Sequence, residues 1–93
     1  MKYFDWDEVK NRKLREEREI CFEDVVVAVD EGRILDVLYH PNSSRYQHQL
    51  ILVIEISQYA YLVPLVEDDD KVFFKTIFPS RKMTKRYLIK KEK

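Results

Sequence analysis

The sequence predicts a single α+β domain with the element order β-α-α-β-β-β-β-α, in which an antiparallel, curled sheet packs against helices. Three observations predict this fold class. The chain has 93 residues, which is enough for one core and too few for two. Its hydrophobic fraction of 45%, with one glycine and three prolines, is typical of a globular protein and excludes a disordered one. After residue 33, apolar runs are joined by short polar connections, which indicates hairpins.

The first third of the chain predicts one strand and two helices. Residues 2–6 predict a short strand, and Asp5 with Glu8 predicts a capping box that opens a polar surface helix over residues 7–18. Opposite charges four residues apart support this helix, at Glu8–Arg12, Arg12–Glu16, Lys13–Glu17 and Arg15–Glu19. Residues 22–31 predict a second helix, because apolar residues recur at helical spacing and Gly32 follows. The buried stripe of this helix is Phe22, Val25, Val26 and Val29.

The rest of the chain predicts four strands and a closing helix. The strands are expected over residues 33–39, 50–56, 59–66 and 71–78, with a polar loop over 40–49 and a tight turn at 57–58. Pro64 predicts an edge or a bulge, since proline cannot donate to a sheet ladder. Ser80 is the expected N-cap of the last helix. That helix is expected to bury Met83, Tyr87 and Leu88.

The charges are balanced in total but divided along the chain. Lys+Arg and Asp+Glu each number 17, which excludes a protein that is basic throughout. Residues 1–70 hold 8 basic and 16 acidic residues, whereas residues 71–93 hold 9 basic residues and one acidic residue. Such asymmetry predicts an interaction surface. Two interpretations of the basic end stay open, a solvated terminal helix and a surface that faces phosphates or an acidic partner.

The residue types exclude several kinds of site. One cysteine excludes a disulfide framework and a cysteine-rich zinc site within the chain, and one glycine excludes a glycine-rich phosphate loop. His40 and His48 share a loop without metal-ligand spacing to the cysteine, and residues 68–70 are expected to form a charged hairpin tip. We therefore expect neither a metal nor a cofactor. The longest apolar run, residues 50–54, is far shorter than the ~20 residues of a membrane span, so we expect a cytoplasmic protein.

One stretch near the end of the chain suggests a phosphate site. A strand delivers Lys75, and Ser80 and Arg81 then begin a helix, where backbone N–H groups and a guanidinium can face an anion. The alternative is an ordinary capped helix with a solvent-exposed arginine, and the residues themselves do not decide between the two.

The two ends of the chain resemble the BrnT family of bacterial toxins. The opening resembles that family's Phe-x-Trp-Asp, Lys and Val-Ser-Phe-Glu-Glu, which correspond here to Phe4-Asp5-Trp6-Asp7, Lys10 and Ile20-Cys21-Phe22-Glu23-Asp24. The ending, residues 78–87, resembles the family's Ile-Ser-Ala-Arg-x-Ala-Thr-x-x-Glu…Tyr. The resemblance implies a RelE-like fold and a metal-independent endoribonuclease that inhibits translation, the toxin of a type II toxin–antitoxin system. It also implies a ribbon-helix-helix antitoxin as partner, and operator DNA bound only through their complex.

The resemblance and the basic end together give the candidate site residues. Arg81 matches the arginine of the closing motif, and Lys10 and Tyr87 are the accompanying catalytic candidates. The candidates for RNA binding are Lys75, Ser80, Lys82, Lys85 and Arg86. The family's Lys-His-Gly is replaced here by Glu17-Arg18-Glu19, so a non-catalytic module that docks an antitoxin or nucleic acid remains the alternative.

Overall fold

In the computed structural model, residues 2–39 and 49–89 are described, and they form three helices and one six-stranded sheet. The elements follow the predicted order, with one more strand than expected near the end. They are β1 (Tyr3–Asp5), α1 (Glu8–Arg18), α2 (Phe22–Asp30), β2 (Ile34–Tyr39), β3 (Gln49–Ile56), β4 (Tyr59–Glu67), β5 (Lys71–Phe74), β6 (Phe78–Pro79) and α3 (Arg81–Tyr87). None of the helices in these two ranges is long and apolar enough to cross a membrane.

The sheet is mixed, which corrects the prediction of an antiparallel one. Its strand order is β1-β5-β4-β3-β2, with β6 beside β4. The hairpins are antiparallel as predicted, but β1 lies parallel to β5, with Phe4 across from Val72. Two strands far apart in sequence meet here without a turn between them, so hairpin spacing could not predict their direction.

The predicted strand over residues 71–78 is interrupted. Residues 75–77 belong to neither β5 nor β6, and Phe74 and Ile77, three residues apart, are both buried. Pro64 lies opposite this interruption, in a central strand rather than at an edge. Its carbonyl accepts from the backbone N–H of Lys75 at 2.8 Å. Because the nitrogen and the carbonyl of one strand residue project to the same side, the missing N–H of Pro64 falls where the neighbouring strand is broken.

Helix α1 is capped by a different residue from the one predicted. The carboxylate of Asp7 accepts from the backbone N–H of Val9 at 2.8 Å, whereas Asp5 accepts from the neighbouring Trp6 N–H. None of the four predicted i,i+4 ion pairs of α1 forms within the described residues. Arg15 instead pairs with Glu23 of α2, at 3.3 Å. The cap differs because the chain is still extended through Asp5 in β1, so the N-cap lies two residues later, at Asp7.

The main core lies between α1, α2 and one face of the sheet. Phe22 and Val25 are fully buried as predicted, as is Ala28, and Gly32 ends this region with the expected positive φ of 75°. Phe22 stacks on Trp6, with the ring centroids 5.6 Å apart. Leu52, Ile54 and Val63 come from the sheet face that carries this core, which we call the first face.

Helix α3 covers the opposite face, which we call the second face. Val53 lies between Leu52 and Ile54 and therefore points away from the main core, yet it is fully buried. Its cross-strand neighbour Asp36 accepts a hydrogen bond from the hydroxyl of Tyr87 in α3. The three helices are thus divided between both faces of the sheet.

Candidate nucleic-acid surface

The closing part of the chain presents a set of cations to solvent. Four of them belong to α3, and the fifth lies at the strand interruption. All five side chains are exposed, and none forms an ion pair with an acidic side chain of the described residues. We call this set the closing basic surface; it consists of Lys75, Arg81, Lys82, Lys85 and Arg86.

Helix α3 is fixed to the sheet by its first turn. The predicted cap is confirmed, since the hydroxyl of Ser80 accepts from the backbone N–H of Met83 at 3.1 Å. The backbone N–H of Ser80 donates to the carbonyl of Ala60 at 2.9 Å. Thr84 completes the attachment, because its hydroxyl accepts from the Ala60 N–H at 2.9 Å and donates to the Ser80 carbonyl at 2.8 Å. A seven-residue helix would not persist alone, so these contacts hold its cations in place.

The end of α3 is tied to the far edge of the sheet. The hydroxyl of Tyr87 donates to the carboxylate of Asp36 in β2, and this bond raises the pKa of the Tyr87 phenol. The same bond is the main reason why the pKa of Asp36 is lowered, with the Val37 N–H and the charge of Arg86 adding to it. A tyrosine whose pKa is raised holds its proton more firmly, which makes it a poorer general base at neutral pH. The bond from Tyr87 to Asp36 joins the end of α3 to β2.

The side chain of Ser80 and the start of α3 are less available to an anion than the sequence suggests. The hydroxyl oxygen of Ser80 already accepts the N–H of Met83, which is one of the free donors of the first turn. Arg81 carries the positive charge at this position, and its side chain is exposed. The guanidinium is therefore the group here that can contact a phosphate.

Lys10 stands apart from the other candidates. It lies in α1, which packs on the first face, and within the described residues its side chain forms no ion pair. Lys75 lies at the strand interruption, where it lines an apolar groove of about 310 Å³ with Pro64 and Ile51. Seven of the eight predicted site residues thus belong to residues 75–87, and Lys10 does not join them.

Three contacts of this region have no counterpart in the sequence predictions. Arg18, at the end of α1, donates to the carbonyl of Ile77 at 2.7 Å and so links the first helix to the strand interruption. Thr84 and Asp36 hold α3 at its two ends. The role of Thr84 could have been predicted in part from its position four residues after the N-cap serine, because a threonine hydroxyl in a helix can donate to the carbonyl four residues earlier. Asp36 and Tyr87 are 51 residues apart, and no local pattern joins them.

The residues that carry the opening resemblance have structural roles. Trp6 and Phe22 stack in the main core, Asp7 caps α1, and the backbone N–H of Phe22 is held by the side chain of Asn11. Trp6, Asp7 and Phe22 therefore stabilise the fold at the start of the chain.

The remaining candidates of the sequence are the two histidines, the acidic hairpin tip and the cysteine. The described residues contain no group of three or more His, Cys, Asp or Glu side chains arranged to hold a metal, and His40 and His48 lie outside the described residues. The carboxylate of Asp68 accepts from the backbone N–H groups of Asp70 and Lys71, as suits a hairpin tip. Burial is the main cause that raises the pKa of the Cys21 thiol, which disfavours the reactive thiolate.

Comparisons with known proteins add no relative: no family model matches the chain, and neither a curated protein nor a solved structure is found to be similar to it.

Proposed function

We propose that this protein binds RNA through the closing basic surface. The observation that carries the proposal is a set of five exposed cations that have no ion pair with the described acidic side chains, four of them on one anchored helix. Phosphates attract such unpaired cations, and each contact releases counterions from the nucleic acid. The Ser80 and Thr84 attachments support the same conclusion, because they hold on the sheet the helix that carries four of the cations.

Salt dependence tests this proposal directly. A labelled single-stranded RNA is titrated with protein at several salt concentrations, and binding is followed by fluorescence anisotropy. Each phosphate contact contributes about −0.7 to the slope of log K against log salt for single strands. We expect Lys82→Ala and Lys85→Ala each to weaken binding and to make the slope shallower by about that amount.

The matched control is Lys13→Ala, which removes an exposed lysine of α1 on the other face of the molecule. It should leave both affinity and slope close to the wild-type values. Equal effects of the three substitutions would indicate attraction by overall charge and would refute a specific surface. A wild-type protein that binds no RNA at low salt would refute the proposed function.

As a second candidate we propose that the chain is a translation-inhibiting endoribonuclease with a RelE/BrnT-like topology, the toxin of a type II toxin–antitoxin system. The observation that favours it is Arg81, which is exposed, lacks a described ion-pair partner and occupies the position of the arginine in the BrnT closing motif. A guanidinium there could stabilise the charge of the phosphorane transition state. The partner would be a ribbon-helix-helix antitoxin, with operator DNA bound through their complex.

Controlled expression in bacteria separates the two candidates. Wild type, Arg81→Ala and the control Lys13→Ala are induced while growth and total RNA are followed. Growth arrest with RNA fragmentation in the wild type and the control, relieved by Arg81→Ala, would support the nuclease. Normal growth with intact RNA, for folded protein that binds RNA in the salt titration, would reject the nuclease and leave RNA binding.

A further inference from the structure

Two tyrosines lie at the start of β4, beside the beginning of α3. Tyr59 and Tyr61 are two residues apart in one strand and therefore share a face of the sheet. Their rings are arranged edge to face, with centroids 5.9 Å apart and an interplanar angle of 67°. Both side chains are half-buried, and Tyr61 packs against the main core. The core and the neighbouring ring thus restrict both side chains while part of each stays accessible.

The strand register brings these rings next to the closing basic surface. Tyr61 pairs with Pro79 of β6, and the N–H of Ser80 donates to the carbonyl of Ala60 at 2.9 Å. Arg81 follows Ser80 directly as the first residue of α3, so the helix that carries the cations begins beside the strand segment that carries the two rings. The rings lie on the first face of the sheet and α3 lies on the second face. At this end of β4 the described sheet continues by one strand only, β6, so the two faces meet at a nearby margin. Adjacent strands are only about 4.8 Å apart, so a ligand crossing this margin can contact both.

This juxtaposition combines the two features that single-stranded nucleic acids require. Cations hold the sugar–phosphate backbone, and aromatic rings stack on exposed bases without regard to sequence. In a double-stranded RNA the bases are stacked on each other and cannot reach a protein ring. The aromatic pair would therefore distinguish an unpaired strand from a duplex, which the cations alone do not.

We propose that Tyr59 and Tyr61 form a base-stacking platform for single-stranded RNA, with Arg81 and the neighbouring cations of α3 holding the phosphates beside it. The proposal rests on the proposed RNA binding and narrows its substrate to unpaired strands. An edge-to-face pair suits this role, because the ring that receives the edge uses one of its faces and leaves the other to a base.

The test measures the affinity of the full chain for a labelled oligouridine of about ten nucleotides, a length within the range of single-strand binding sites, and for an RNA duplex of equal length. We expect the wild type to favour the single strand. Tyr59→Ala should weaken that binding by about 5- to 150-fold without changing the salt slope, since stacking releases no counterions. Tyr59→Phe keeps the ring and should keep the affinity.

Two further variants protect the test against an effect of folding. Tyr61→Leu keeps apolar bulk against the core but removes the aromatic face, and should also weaken single-strand binding. Tyr3→Ala removes an equally large ring that is 57% exposed in the distant strand β1, and should bind as the wild type does. Thermal melting of every variant confirms the folded state.

The outcomes distinguish the platform from RNA binding itself. Wild-type affinity in both Tyr59→Ala and Tyr61→Leu would overturn the platform and leave the closing basic surface as the RNA site. Equal affinity of the wild type for duplex and single strand would overturn it as well. A wild type that binds neither RNA at low salt would overturn the platform together with the proposed function.

Discussion

Replacing Thr84 tests how α3 is held on the sheet. Thr84 is 4% exposed, and valine matches its shape, so the substitution leaves no cavity. Its hydroxyl, however, is the acceptor for the backbone N–H of Ala60, at 2.9 Å, and Ala60 is fully buried. Thr84→Val leaves that N–H without a partner, whereas Thr84→Ser keeps the hydroxyl and loses only a methyl group.

The expected costs follow from these contacts. An orphaned buried N–H costs about 1–3 kcal/mol, and one buried methyl about 0.8 kcal/mol. The carbonyl of Ser80 adds nothing to the cost of valine, because it still accepts the backbone N–H of Thr84 at 3.0 Å. We expect Thr84→Val to lose about 2 kcal/mol, which for a domain of this size lowers Tm by about 8–16 °C. The serine variant should lose about half as much free energy.

Two measurements check this expectation. Urea unfolding followed by the fluorescence of the single tryptophan, Trp6, gives the free energy of unfolding. Amide hydrogen exchange at Ala60 reports the local bond, and its protection should fall in Thr84→Val and persist in Thr84→Ser. A valine variant as stable as the serine variant, with Ala60 still protected, would refute the reasoning. Because the valine substitution weakens the attachment of α3 to the sheet, the valine variant should also bind RNA more weakly than the wild type.

Two other substitutions probe contacts between distant elements. Asn11→Ala should lower the free energy of unfolding in urea by about 2–3 kcal/mol. The reason is that the buried Asn11 side chain accepts a hydrogen bond from the Phe22 N–H at 2.7 Å and donates one to Glu23 at 2.9 Å. An unchanged urea midpoint would contradict this expectation. The hydrogen bond from Asn11 is the main cause of the lowered pKa of Glu23. Its contribution to stability is therefore present above the pKa of the unfolded carboxyl group and is lost as the pH falls through the folded pKa. Asn11→Ala should make the stability less dependent on acid pH. Tyr87→Phe should let the pKa of Asp36 rise toward its ordinary value, which NMR titration of the carboxyl carbon measures. The variant should be less stable than the wild type above the pKa of Asp36, and about as stable in acid. An Asp36 titration identical to that of the wild type would show that the Tyr87 bond is not what lowers its pKa.

Local signals predicted the helices and the hairpins well, since they depend on neighbours in sequence. The stripe of Phe22 and Val25, the turn at Gly32 and the Ser80 cap are each decided within a few residues. The first cap was misplaced because Asp5 and Asp7 are equally suited by type. Only the path of β1 decides which of them precedes the first helical residue.

The sequence predicted which residues belong to the candidate site, but it did not predict how they are arranged in space. The excess of cations after residue 70 is visible in the sequence, and it places the closing basic surface on the last strands and helix. The separation of Lys10 from that surface, and the partner of Tyr87, depend on which sheet face each helix covers. The interruption between β5 and β6 likewise depends on the packing of both Phe74 and Ile77 into one core.

The sequence by itself determined the element order up to the interrupted last strand, the turns and the opposite charges of the two parts of the chain, because propensity, capping and charge act over short distances. The tertiary structure alone decided the parallel pairing of β1 with β5, the placing of α3 on the second face and the pairing of Tyr61 with Pro79 beside the start of α3. The physical reason is that these features join residues far apart in the chain, and only burial of one shared core and completion of backbone hydrogen bonds select among the ways they could meet.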